Sequence, residues 1–396
     1  MSFTTILWFI FVFCVIVVSH EFGHFIIAKI NGIHVIEFTV GMGPKIWGFH
    51  KNGTYYVLRC LPLGGACIFD GMTDEDILDN VKKSDKKSLK DKADLTAFVA
   101  ENGDNDAIDA SALEAVDTVG PEKNYGKKFK DAPVWARIST VLAGPMFNFI
   151  LSFLLAIVIV WFCGSDEPIV HELMEGYPAA EAGLMDCDRI VEIDGSNIMT
   201  AREIYISTFI NKDGKPMTVT YERDGERYTT TLVPKYDEES GRYLLGLMNY
   251  GEYVECNNAG VFKYAFREVR YGLVATFKSL GMLITGNGSK DDIAGPVGMA
   301  QIIGDVEKQA KPYGIGTVLL NMINIAMLLS VNLGIMNLLP IPALDGGRLI
   351  FLVIEAVRGK PVPAEKEGLV TLVGFIFLFG LMVFVMFNDI MRLVSR

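Results

Sequence analysis

Four stretches of this chain are apolar enough to need burial on every side, and the first of them holds two histidines and a glutamate. The stretches run over 3–29, 135–163, 317–339 and 367–388. Each supplies roughly the ~20 apolar residues that a bilayer crossing requires. Lipid offers no partner to a backbone N–H or C=O, so such segments cross as helices. The chain therefore reads as a multi-pass α-helical membrane protein. Its hydrophobic share of 51% beside 21% charged residues adds soluble parts to that membrane core. Met1 to Thr5 carry no Lys or Arg, and the apolar run continues past a short signal-peptide core, so the first stretch reads as a retained helix.

Inside that first stretch stands His20-Glu21-Phe22-Gly23-His24. Ionisable groups inside a span are expensive and by default functional. Helix positions four apart share a face, so His20 and His24 can grip one metal ion while Glu21 takes a proton from water. His-Glu-x-x-His at this spacing is the signature of zinc proteases. The competing reading is a polar cluster where the helix leaves the lipid. A catalytic zinc needs three protein ligands and one open position. The third span ends in Asn337-Leu338-Leu339-Pro340-Ile341-Pro342-Ala343-Leu344-Asp345-Gly346-Gly347. Two prolines stop the helix there, two glycines allow a tight turn, and Asp345 is the natural third ligand. Taken alone, Asp345 also reads as the cap of the following helix. Asn337 either bonds a substrate backbone or caps the broken backbone near Pro340.

Charge orients the spans. Lys123, Lys127, Lys128, Lys130 and Arg137 crowd the start of the second span, whereas Asp166-Glu167 follow it. The positive-inside rule then puts 31–134 in the cytoplasm, 164–316 outside and 340–366 inside again. His20, His24 and Asp345 come to the same, cytoplasmic, side of the membrane. The formal net charge of −11 argues against nucleic acid as a partner. Six cysteines form no CxxC pair, which excludes a zinc knuckle and favours packing or free thiols.

Between the spans the chain divides further. Lys51-Asn52-Gly53 stands between aromatic and β-branched runs and predicts a hairpin with a type I′ turn. From Asp70 to about Asn124, Asp, Glu and Lys dominate, and the segment reads as solvated, partly helical or disordered in part. Strands are expected at 169–173, 189–193, 217–222 and 227–233, with turns at Asp194-Gly195 and Asp224-Gly225, and a short helix from Pro178 stopped by Gly183. Residues 261–285 read as an amphipathic helix on the outer membrane surface, with a fifth span as the competitor. The expected division is 1–30, first span with the zinc motif; 31–70, membrane-associated hairpin; 71–132, charged insertion; 133–163, second span; 164–250, α/β module; 251–316, amphipathic segment and linker; 317–348, third span; 349–396, fourth span and C-terminus.

Together these residues resemble the site-2 protease family of intramembrane zinc metalloproteases, in its bacterial branch. The resemblance rests on His20 to His24, Gly41-Met42-Gly43-Pro44, Pro62-Leu63-Gly64-Gly65, Ala143-Gly144-Pro145-Met146-Phe147-Asn148, Gly295-Pro296-Val297-Gly298 and Asn337 to Gly347. It covers the chain except roughly 72–122. It implies one catalytic Zn2+ held by His20, His24 and Asp345, with Glu21 as the general base. It implies that the 41–65 hairpin pairs with an extended substrate; strand addition is then expected on a 54–58 edge, through Tyr55, Tyr56 and Val57, with Gly64 and Gly65 also contacting the substrate. It implies that 164–250 is one extracytoplasmic PDZ-like α/β domain, although Cys187 stands where such modules usually have glycine. Substrates would be single-pass proteins of the bacterial cytoplasmic membrane, anti-sigma factors or signal-peptide remnants, already cut by a site-1-type protease in regulated intramembrane proteolysis. A membrane scaffold would not need Glu21. A transporter would place polar residues along several spans, and the second and fourth have almost none.

Overall fold

A computed structural model describes residues 2–71, 125–256, 259–286 and 294–395. The charged insertion expected at 71–132 lies mostly outside the described residues. By contacts the chain forms two compact units: Met1–His20, Gly144–Gly347 and Thr371–Arg396 in one, Glu21–Ala143 and Arg348–Val370 in the other.

Four helices among the described residues are long and apolar enough to cross a membrane. They are α1 (Phe3–Ile30), α2 (Val134–Cys163), α7 (Ile315–Leu338) and a stretch of α9 (Ala364–Ser395). All four expected spans are found, each with bounds within a few residues except the last, whose helix extends further at both ends. Pro145 lies inside α2.

In the first unit, α1 packs Val12 and Ile16 against Ile303 of α6 (Pro296–Ala310) and Val318, Met322 and Ala326 of α7. The α/β module follows α2. Strands β3 (Ser165–Leu173), β4 (Arg189–Ile193), β6 (Met217–Arg223), β7 (Glu226–Leu232) and β10 (Leu247–Val254) form a sheet in the order β10-β3-β4-β6-β7. Short β5 (Ser196–Asn197) pairs with β4, and β8 (Lys235–Asp237) pairs with β9 (Arg242–Leu244). Alternate strand residues enter one core, Val170, Ile190, Ile193, Met217, Val219 and Leu232, closed by Ile204 of helix α4 (Ala201–Ile210) and Ala179 of the short α3 (Pro178–Glu181). The turns are as expected: Asp194, Gly195, Asp224 and Gly225 all take positive φ. Cys187 does too, at φ +67°, which explains why glycine suits its position.

Helix α5 (Gly260–Ile284) is amphipathic, as expected, and is not among the four spans. Its apolar stripe, Val261, Ala265 and Val269, packs with Ala156 and Val160 of α2 and Met327, Val331 and Ile335 of α7. Its bases turn to the module. Arg267 donates to Glu167 at 3.0 Å, Arg270 bonds Glu203 and the Asn197 carbonyl, and Lys278 donates to the Ser207 hydroxyl at 2.7 Å. The charges that suggested a lipid surface are thus matched by protein.

The second unit holds the hairpin. Asn52 and Gly53 both have positive φ, as a type I′ turn demands. The strands are longer than expected: β1 (Val35–Lys51) and β2 (Thr54–Phe69). They also fold back on themselves, because Gly41, Gly43 and Gly64 supply positive-φ bends. Glu37 faces both Tyr55 and Ile68, and Thr39 faces both Val57 and Ala66. Ile33, Val35 and Phe69 join Ala28, Phe129, Val141 and Leu352 in the core beneath. Helix α8 (Asp345–Arg358), which lies in the stretch expected as a connection over 340–366, contributes Leu352, and Glu355 on it pairs with Arg137.

Candidate metal centre

The first-unit part of the site joins the end of one span to the turn after another. α7 stops at Leu338, and Pro340 and Pro342 keep the chain from resuming a helix until Asp345 opens α8. The turn is tight. The Ile341 N–H donates to the Leu339 carbonyl at 2.7 Å, and Ala343 is held at φ +76°. A Cβ on Gly346 would lie 2.1 Å from the Leu339 oxygen, so only glycine fits there. This turn delivers the Asp345 carboxylate to His20, Oδ2 standing 3.1 Å from Nε2. Both side chains are largely shielded, at 11% and 18% exposure, in surroundings where an unmatched charge would be costly. Asn337 lies half-buried in the last turn of α7.

His24 follows His20 by one turn of α1 and is also buried. Its Nδ1 lies 2.9 Å from the Thr140 carbonyl of α2. A carbonyl only accepts, so Nδ1 carries the hydrogen and Nε2 keeps a lone pair. That is the arrangement in which a histidine ligates metal through Nε2. Two imidazole nitrogens and one carboxylate oxygen are the donor types that zinc takes at a catalytic site with three protein ligands. The residues present therefore fit zinc.

Glu21 and the hairpin belong to the second unit. Phe25 of α1 packs against Phe38 and Tyr56, with ring centroids 5.1 and 5.9 Å apart. Cys67 of β2 is half-buried, and loss of solvent together with the Glu21 carboxylate pushes its thiol well above the usual range. The base candidate thus lies within electrostatic reach of the second strand.

One expectation needs correction. Segment 54–58 is not an open edge. Tyr55 faces Glu37 on one side and His50 on the other, Tyr56 faces Phe38 and Phe49, and Val57 faces Thr39 and Gly48. A strand with neighbours on both sides has no spare ladder for a substrate. Among the described residues the free edges are the segments around 45–51 and 65–69, the second of which begins at Gly64-Gly65. Strand periodicity could not reveal this, because the doubling depends on which partners the bends bring back.

A model of peptidase family M50 matches residues 8–381. The chain belongs to that family, the site-2 protease family, and is a zinc metalloprotease. It is 35% identical to the zinc metalloprotease RasP of Bacillus licheniformis, over 98% of this chain and 99% of that protein. It is 33% identical to the regulator of sigma-W protease RasP of Bacillus subtilis, again over 98% of this chain and 99% of the relative. Among solved structures, the PDZ domain of an SdrC-like protein from Listeria monocytogenes is 22% identical, covering 21% of this chain and 86% of that domain, with a TM-score of 0.20.

Proposed function

We propose that this protein cleaves peptide bonds within the membrane spans of single-pass proteins, using one zinc ion held by His20, His24 and Asp345. The observation that carries the proposal is the approach of Asp345 to His20, 3.1 Å across 325 residues of sequence (345 − 20), with His24 on the next turn. A zinc ion there would supply Lewis acidity towards a water and towards the scissile carbonyl. Glu21, beside His20 on α1, takes the proton of the attacking water and passes it to the leaving amine. Asn337 hydrogen-bonds the substrate backbone near the cut.

A helical substrate hides its carbonyls, so the segment to be cut must first unwind. We assign its capture to strand addition on an open edge of the folded hairpin, with the 65–69 segment and its Gly64-Gly65 entry as the favoured one. Tyr55, Tyr56 and Val57 support that edge from within the sheet. The α/β module, read as PDZ-like, lies outside the cytoplasmic membrane on the charge pattern and limits which substrates reach the centre. The printed name of the Bacillus subtilis relative ties that protein to sigma-W regulation. By analogy the substrates here are anti-sigma factors or signal-peptide remnants already trimmed by a site-1-type protease.

The test is co-expression of a truncated single-pass model substrate with wild type or Glu21→Gln, with zinc content measured on both purified proteins. The expected result is a cut inside the span for wild type only, with one zinc per chain in both. Equal cutting by the two would remove Glu21 from the chemistry.

A further inference from the structure

The polar residues inside α2 have no part in the mechanism above, yet Asn148 and Ser152 are fully buried there, as is Ser330 on α7. Burying polar groups among apolar helices is unfavourable unless they are hydrogen-bonded. The two hydroxyls are accounted for. Ser152 and Ser330 both donate to the Asn148 carbonyl, at 2.8 and 2.9 Å, and so pin that backbone between α2 and α7. The Asn148 side chain is the exception. Its amide nitrogen lies 3.2 Å from Nδ1 of His20, and its amide oxygen has no hydrogen-bond partner among the described residues.

We infer that Asn148 is the positioning residue of His20, accepting a hydrogen bond from Nδ1–H through its amide oxygen so that Nε2 is left as the metal ligand. The inference rests on the zinc centre proposed above. A histidine that ligates through Nε2 must carry its hydrogen on Nδ1, and that hydrogen is almost always given to a carboxylate or carbonyl oxygen. His24 gives its own to the Thr140 carbonyl, also on α2. At Nδ1 His20 meets the Asn148 amide, and a half-turn about the Asn148 Cβ–Cγ bond presents the oxygen in place of the nitrogen. The same turn pairs that buried oxygen and moves the unpaired position to the amide nitrogen. α2 therefore serves both histidines, one through its backbone and one through Asn148, while Ser152 and Ser330 hold Asn148 at the right depth.

The test measures the zinc dissociation constant of the full chain in detergent, by chelator competition, in a Glu21→Gln background that needs no turnover. Asn148→Leu keeps the size and removes the acceptor, and should weaken zinc by about 10–100-fold. Asn148→Asp keeps the shape with acceptor oxygens only, and should bind zinc at least as tightly as the parent. This second variant decides the matter if the leucine variant does not fold. Nitrogen-15 spectra of the zinc-loaded parent should show the hydrogen of His20 on Nδ1. Unchanged zinc affinity in Asn148→Leu, weakening in Asn148→Asp, or a hydrogen on Nε2 would each overturn the inference. His20→Ala separates the two levels: if the parent binds zinc and His20→Ala does not, such a result removes only the role of Asn148, whereas a parent without zinc removes the centre as well.

Discussion

Replacing Gly346 by alanine puts the turn that carries Asp345 under a defined strain. The added Cβ would meet the Leu339 oxygen at 2.1 Å and the Leu338 carbonyl carbon at 2.6 Å. Ordinary contact begins near 3.4 Å, so the backbone must give way by about 1.3 Å (3.4 − 2.1) at the closest point. Both obstacles are backbone atoms at the end of α7, and no flexible side chain can absorb the shift. The residue displaced is the immediate neighbour of Asp345. A misplacement of about 1 Å at a reacting centre costs on the order of 100-fold in rate. The expected outcome is a drop of that size in kcat/KM for a truncated single-pass substrate in proteoliposomes, with weaker zinc binding. Gly316→Ala is the matched control, since its Cβ meets nothing within 4 Å. Equal cleavage by the two variants would refute the claim that this turn sets the geometry.

Three further outcomes concern stability. Burial pushes Glu167 up, but hydrogen bonds from Arg267 and Tyr264 and the charge of Arg189 outweigh it and hold the carboxyl below its ordinary 4.5. Its contribution is therefore present above that value and lost as pH falls through the lower folded one, so acid melting curves should steepen less in Glu167→Gln than in wild type. Cys187 is exposed at φ +67°, and relieving a conformation that costs about 1–2 kcal/mol, less about 0.5–1 kcal/mol of glycine entropy, should make Cys187→Gly more stable by up to ~1.5 kcal/mol in denaturant titration. Asp389 of α9 accepts the N–H groups of Gly295 and Gly298 at 3.2 and 2.8 Å, and Asp389→Ala should lose about 1.5–3 kcal/mol for such a charged acceptor, read as a lower Tm.

Features set by short-range chemistry were legible in the sequence. The four spans announce themselves by length and hydropathy, and the Asn52-Gly53, Asp194-Gly195 and Asp224-Gly225 turns by their need for positive φ. His20, His24 and Asp345 were legible as a candidate set because zinc fixes how many ligands of which types must be found. What escaped depends on pairing at a distance. The two-sided environment of Tyr55 to Val57 follows from three glycine bends acting together. Helices α6 and α8 are too short and too polar to stand out beside the spans. Asn148 was visible only as part of a motif, because nothing in the spacing 20 to 148 says that α1 and α2 bring these two side chains together.

The contacts of α5 make the α/β module a lever rather than a bead on a string. One face of that helix is bolted to the module by Arg267, Arg270 and Lys278, and the other is wedged into α2 and α7. At Gly272 an added Cβ would meet Val331 of α7 at 3.2 Å, so the wedge has almost no play. A pull or a tilt imposed on the module is therefore handed to α7, the helix whose far end turns into the segment bearing Asp345. Cutting the module away would reach beyond the module itself. It would leave three cations of α5 without their partners and slacken the strut against which α7 is braced.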